Sequence, residues 1–282
     1  MLVASFLFAA MGVLVKLASE RFSAPELVFY RSLFGLLSIY VFIVLITRQG
    51  LAPLVTHHLG SHVKRGLSGF LALVMFFYAI AHLPLATAIT LNYTAPLFLA
   101  AITGWWLGER HGRGLLLALL LGFVGVAVLL QPGWEGQDRL AGLIGLISGF
   151  FAALAYLNVR ALGRLGEPEW RVVFYFTLIA TLGAALWMAM AGSAWPRPED
   201  WPLLLAMGLT ATLAQLAMTR AYRLGDTLTV GTLAYSNVAF SAGYGVVLFG
   251  DRLPLGAWLG MALIVAAGII SVRAARAAAP AE

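Results

Sequence analysis

Cysteine is absent from the 282 residues. Disulfides, thiolate metal sites and cysteine nucleophiles are therefore excluded. Charge is scarce as well: charged residues make up 11% and hydrophobic residues 61%, where a soluble domain carries roughly 25% charge. With a mean hydropathy of +0.91, such a chain cannot cover a water-facing surface, and it is read as an integral membrane protein. The chain also lacks H-E-x-x-H, G-x-S-x-G, P-loop and dinucleotide motifs, so nothing supports nucleophilic or metal catalysis, and no cofactor is expected. His57-His58 with His62 has only loose metal-ligand spacing and no carboxylate among its sequence neighbours, and no metal is expected there. Carboxylates are missing from the span centres, and the histidines lie in connections. An intramembrane Asp, Glu or His relay of the kind proton pumps use is not expected, which favours facilitated movement or exchange.

What is present is a series of apolar runs. A span needs about 20 mostly apolar residues, and ten segments qualify. The first five are Leu2–Ser19, Pro25–Ile46, Gly66–Ala81, Ala86–Leu107 and Gly114–Leu130. The second five are Leu140–Val159, Trp170–Ala191, Trp201–Tyr222, Thr227–Phe249 and Pro254–Arg273. The N-terminal stretch has no basic leader or small-residue cleavage site and reads as a first span, not a signal. Basic residues gather at alternate connections, among them Arg48, Lys64, Arg65, Arg110, Arg113, Arg164 and Arg171. The opposite connections hold Arg21, Arg139, Arg197 and Arg252. By the positive-inside rule both termini are cytoplasmic. The same bias accounts for the net charge of +6, and no nucleic-acid partner is expected. Trp105, Trp106, Trp134, Trp170, Trp195 and Trp201 fall near the two interfaces, as an aromatic belt requires.

The chain writes one passage twice. Thr87–Arg110 carries a polar centre at Asn92, Tyr93 and Thr94, then Pro96, then Gly108-Glu109-Arg110. Thr229–Arg252 answers with Tyr235, Ser236 and Asn237, then Gly250-Asp251-Arg252, in the same register half a chain away. Lys16…Pro25-Glu26 is similarly answered by Arg160…Pro168-Glu169. Five spans per copy is odd, so the second copy enters the membrane from the opposite side. The expected fold is all-α, with ten transmembrane helices as two inverted five-helix repeats, 1–133 and 134–282. Inverted repeats supply two pseudo-equivalent shapes, one open to each side, with a site near the midplane. Duplication could alternatively yield only a stable bundle.

Polar groups in hydrocarbon are costly and tend to face the bundle interior or a cavity. Asn92, Tyr93, Tyr235, Ser236 and Asn237 are the expected lining of a solute cavity, with Tyr78, Asn158 and Gln215 contributing. Interhelical hydrogen bonding is the competing role. Lys16 and Arg31 lie within spans and could attract an anionic or carboxylate-bearing solute, or snorkel to an interface. Pro96, Glu109, Arg110, Asp251 and Arg252 are expected to be gating or turn-fixing residues. The second half has no proline matching Pro96, so unequal bending of spans four and nine is expected. Gly256 and Gly260 form a GxxxG face that serves packing within one chain or a homodimer.

These features together resemble the EamA branch of the drug/metabolite transporter superfamily. The resemblance covers essentially the whole chain and rests on two five-span halves. It also rests on Pro25-Glu26 with Arg31, on the polar centre and Pro96 of span four, on the Leu107–Arg110 ending, and on Gly250-Asp251-Arg252. It implies an exporter or permease of the cytoplasmic (inner) membrane. The solute would be a small organic metabolite, such as an amino acid or related compound, moved by alternating access among membrane lipid. A lipid-acting membrane enzyme or a non-transporting sensor or assembly protein would be the alternative; the former needs a converging acid, base or nucleophile that the sequence does not display.

Overall fold

A computed structural model describes residues 1–46, 54–95, 97–98, 101–102, 113–129, 137–224 and 233–277. Among these residues the structure is entirely helical, without strands. In chain order the helices are α1 (Leu2–Ala18), α2 (Ala24–Tyr40, extended by a π-helical stretch Val41–Ile46), α3 (Leu59–His82), α4 (Leu85–Asn92) and α5 (Arg113–Leu129). They continue with α6 (Gln137–Arg164), α7 (Glu169–Ala191), α8 (Trp201–Leu224), α9 (Ser236–Phe249) and α10 (Leu255–Ala277). Five described segments are long and apolar enough to cross a membrane: Ala24–Ile43, Leu59–His82, Arg139–Arg164, Trp170–Ala191 and Pro198–Met218. Shorter apolar helices are Leu2–Ala18, Ser236–Phe249 and Leu255–Ile270. The chain is a multi-pass membrane protein.

The distribution of apolar side chains suits a lipid solvent. Along α8, Leu205, Leu209, Leu213 and Leu216 are exposed at helical spacing, and so are Leu182, Leu186 and Met190 along α7. Such stripes would be a liability in water, but they are the expected outer surface against acyl chains. The interior holds Leu27 of α2, Phe77 and Ile80 of α3, and Leu85, Ile89 and Leu91 of α4, all fully buried. Small residues let the backbones close in. Gly125 of α5, for example, lies against Leu263, Ile264 and the Gly260 carbonyl of α10, so the GxxxG face is used within the chain.

Most of the packing joins the first five helices to the second five. The main pairings are α1 with α8 and α9, α2 with α7 and α8, α3 with α6 and α7, α4 with α6 and α9, and α5 with α10. Exchanging each helix for the one five places along returns this same set.

Helix starts follow local chemistry. Pro25 sits in the first turn of α2, where a missing N–H costs nothing. Glu26 reaches back from that turn to the Ser23 amide and hydroxyl, both at 2.7 Å. The start of α3 differs from expectation. It begins at Leu59, ahead of Gly66, so His62, Lys64 and Arg65 lie on the helix and not in a connection. A hydropathy window ends a span at its first charges, while the helix continues because lysine and arginine are good helix formers.

Candidate functional site

Two interrupted helices face each other in the middle of the chain's packing. α4 ends at Asn92, turns at Tyr93 and Thr94, and is helical again at Ala95 and residues 97–98. The Thr94 hydroxyl donates to the Leu91 carbonyl at 2.6 Å, and the amides of residues 97 and 98 return to the Thr94 carbonyl. Proline has no N–H, so one at position 96 cannot donate to the Asn92 carbonyl. Pro96 itself lies outside the described residues, as do Glu109 and Arg110. In the second half, residues 233 and 234 are helical, Tyr235 forms a turn, and α9 starts at Ser236. Both interruptions therefore fall at the matched tyrosines, with a proline nearby in only one.

The two breaks touch. The Asn237 amide donates to the Tyr93 hydroxyl at 3.2 Å, and the Tyr93 and Tyr235 rings lie 5.7 Å apart. The Asn92 amide donates to the Ser148 hydroxyl of α6 at 3.1 Å, and the Ser148 hydroxyl donates in turn to the Gly145 carbonyl. One turn along α6, Gly149 lies under the break. A Cβ there would come within 2.9 Å of the Leu91 carbonyl and 3.3 Å of that of Asn92. The Tyr235 hydroxyl rests against Gly268 of α10. Asn237 is buried (4% exposed) and also accepts from the Ser241 hydroxyl.

Other expected lining residues lie elsewhere or are locally engaged. Asn158 donates back to the Leu154 carbonyl of its own helix, and Ser236 donates across the Tyr235 turn to the Leu233 carbonyl. Tyr78 stacks on His82 with ring centroids 4.1 Å apart. Gln215 is half-buried on α8. Arg31 is within α2, its Nε buried without a hydrogen-bond partner.

Lys16 is tied to one end of the bundle. Its ammonium donates to the Leu83 carbonyl at 3.1 Å, sits 3.6 Å from the Asp251 carboxylate and lies over the Phe249 ring. The other Asp251 oxygen accepts from the Leu85 amide at 3.1 Å. Gly250, at φ 64°, takes the left-handed conformation that ends α9 and turns Asp251 back across it. One carboxylate thereby holds the ends of α1, α3, α4 and α9 together, while Arg252 is exposed. Two further contacts join the halves at this end: Arg21 with Asp200 at 2.7 Å, and the Ala194 amide to Glu26 at 2.6 Å. A recess of about 320 Å³ also opens here, lined by Pro25, Glu26, Trp187 and Ala194 among others. It is separate from the two breaks.

The opposite end has its own carboxylate. Glu167, between α6 and α7, accepts from Thr56 at 2.6 Å and from Arg171 at 3.0 Å, and lies 3.3 Å from His62. Tyr175 donates to the Leu54 carbonyl at 3.0 Å. Burial alone would raise the Glu167 carboxyl, but the hydrogen bonds from Thr56 and Arg171, the nearby His62 ring and the Arg171 charge bring it below its ordinary value. This corrects the reading of His62 as a loop histidine without a carboxylate neighbour: it is fully buried on α3, and Glu167 reaches it through space. Among the described residues no group of three metal-capable side chains converges.

Sequence reasoning missed Glu167 and Ser148 as members of these clusters. Glu167 carried a usable signal, its place directly before Pro168 in the passage that answers Pro25-Glu26. Ser148 has none, since one serine in an apolar span looks like any other.

The model of the EamA-like transporter family matches residues 1–131 and again 139–273. A pseudopaline exporter of Pseudomonas aeruginosa is 36% identical over 275 residues, covering 95% of this chain and 90% of that protein. A riboflavin transporter of Vibrio cholerae is 29% identical over 269 residues, covering 94% and 89%. A solved crystal structure superposes with a TM-score of 0.66 at 22% identity, over 98% of this chain and 97% of the other; that likeness is one of fold.

Proposed function

The chain belongs to the EamA-like transporter family, and from that premise we propose that it moves a small organic metabolite across the cytoplasmic membrane by alternating access. It is a transporter and not an enzyme. The observation that carries the finer reading is the meeting of two interrupted helices at Tyr93 and Tyr235, bridged from Asn237. Broken helices expose backbone polar groups only where protein or a cavity receives them, and transporters use them for solute contact.

Asn92, Tyr93, Tyr235 and Asn237 hold the solute in this reading, with an amide beside an aromatic face on each side. The halves are 1–133 and 134–282, related by inversion. Support comes from the matched breaks and from a helix pairing that survives exchange of the two sets of five. With both termini cytoplasmic, the Lys16–Asp251 end faces outward and the Glu167 end inward. Asp251 then acts as an outer closure, and Lys16 belongs to that closure more than to the solute. The relatives' names, an exporter of pseudopaline and a transporter of riboflavin, fit export or permeation of a small organic compound.

Reconstitution into liposomes tests the proposal. Flux is measured across amino acids, nucleosides and vitamins, for the natural protein and for Asn92→Ala. Saturable flux of at least one solute, reduced in Asn92→Ala, is expected. The reading fails if no solute crosses and Asn92→Ala alters nothing.

A further inference from the structure

We propose that His62 is a proton-binding site whose occupancy holds the inner end of the molecule shut. This rests on the transport reading, which makes that end a closure, and it names the ligand that regulates it.

The seam at this end joins the halves through few groups. Leu54, Thr56 and His62 belong to the first half, Glu167 and Tyr175 to the second, and they meet directly. The side chains of His62 and Glu167 are 0% and 4% exposed. A buried histidine kept for packing has its ring nitrogens satisfied. His62 does not. Its Nδ1 has no hydrogen-bond partner, and its Nε2 stands 3.3 Å from the Glu167 carboxylate but off the line of a hydrogen bond. A neutral imidazole gains little from that placement. An imidazolium gains much, because Coulomb attraction needs no alignment and is strong where water is excluded. The Tyr175 ring lies 4.5 Å from that of His62, tilted by 33°, and an aromatic face attracts a cation. Glu167, held below its ordinary value, stays ionised across about pH 5 to 8, where imidazole changes charge.

Burial and neighbouring cations oppose the proton. Arg171 of α7 donates to Oε2 of Glu167, the same oxygen that His62 approaches. Arg65, one turn along α3, is turned inward over Gly69 and lies 4.3 Å from the Phe176 ring. His58, just before α3, is half-buried, while His57, Lys64 of α3, Arg164 of α6 and Tyr40 of α2 are exposed. These opposed terms leave the charge of His62 to pH. With the proton, His62 and Glu167 form an ion pair across the halves. Without it, the seam keeps an unsatisfied imidazole. Opening would put both groups in water, where such a pair is worth little. The shut form therefore binds the proton more tightly, and acid favours it.

Labelling of a single cysteine from the cytoplasmic side tests the assignment. Thr177→Cys is the reporter: Thr177 is buried on α7 against Gly35 of α2, and its hydroxyl bonds within its own helix. An impermeant maleimide is applied to the full-length protein in inside-out vesicles. Each rate is divided by that of the denatured variant at the same pH, which removes the titration of the thiol itself. From about pH 8 to about pH 6 this ratio is expected to fall several-fold, and one proton limits the fall to about tenfold per pH unit. Adding His62→Gln or Glu167→Gln should remove the response. Arg171→Gln, which withdraws the competing cation, should move it to higher pH, a shift that a packing role for His62 does not produce. If His62→Gln does not fold, the Glu167 and Arg171 variants decide. The proposal is overturned if the ratio is level in pH, if the response survives His62→Gln or Glu167→Gln, or if Arg171→Gln leaves it in place. Solute flux with a level ratio would remove the proton site and leave transport standing. A pH-dependent ratio with no flux of any solute would do the reverse.

Discussion

The break in α4 has a proline close by; the break before α9 has none. Yet Tyr93 and Tyr235, which occupy matched positions in the two halves, both interrupt their helices. Proline can therefore not be the common cause. What the two share is a tyrosine with an asparagine within two residues of it in an apolar span, and a small residue on a neighbouring helix: Gly149 against the first break and Gly268 against the tyrosine of the second. The comparison teaches that the interruption is held by packing and by polar pairing between the halves.

The most damaging way to break this comparison is to fill the gap beneath the first turn. Gly149→Val places side-chain atoms where the Leu91 and Asn92 carbonyls lie, and it should cost about 2–3 kcal/mol. The measurement is the midpoint of thermal unfolding beside Gly268→Ala; an unchanged Gly149→Val would mean the carbonyls are not packed there. Next in size is the link between the two breaks. Asn237→Ala leaves the Tyr93 hydroxyl without that donor, and a loss of roughly tenfold in transport rate is expected, the scale of one buried hydrogen bond. Asn92→Ala should lose less, since Ser148 keeps its bond to Gly145. Equal losses would show that the breaks act separately.

The two ends of the molecule sharpen the comparison further. At one end Asp251 binds Lys16 and the Leu85 amide; at the other Glu167 gathers Thr56, His62 and Arg171. If these are alternating closures, loosening one should expose the interior from that side only. The chain has no cysteine, so Thr87→Cys provides a clean reporter of access. Adding Lys16→Met should raise its labelling by an impermeant maleimide several-fold from the outer side, and unchanged labelling counts against an outer closure. For Glu167, the folded carboxyl lies below its ordinary value of 4.5. Its contribution to stability is then fully present above that value and is lost as pH falls toward and through the folded value. Acid unfolding of Glu167→Gln should be flatter in that window than that of the natural protein. The smallest effect is expected for Pro96→Ala, whose transport should stay within about twofold, as α9 manages its break without a proline. A large loss would restore proline as the cause in the first half.

Much of this was legible in the residues. Ten apolar runs, the doubled passage and its matched tyrosines follow from counting and alignment of the chain with itself. The site was legible only in part. Tyr93, Tyr235 and Asn237 do come together, because polar groups excluded from lipid must find each other, while Asn92 turns to Ser148 of α6. Lys16 met a carboxylate from the opposite half, which no local pattern indicates. Asn158 and Ser236 satisfied themselves on carbonyls three or four residues back in the chain, an option open to any short polar side chain and invisible in composition. The start of α3 was misplaced because hydropathy registers that Arg65 is charged but not which way it points.

The sequence by itself determined that this chain lives in a membrane, since its apolar share leaves no way to solvate a globular surface, and that it is built twice over, since self-similarity needs no coordinates. Tertiary structure alone decided which polar groups pair across the halves, why a helix breaks without proline, and that Arg65 turns inward over Gly69. Those outcomes depend on helices distant in sequence arriving at one place. There the cost of an unsatisfied polar group in a low-dielectric interior, and not the preference of any single residue, selects the arrangement.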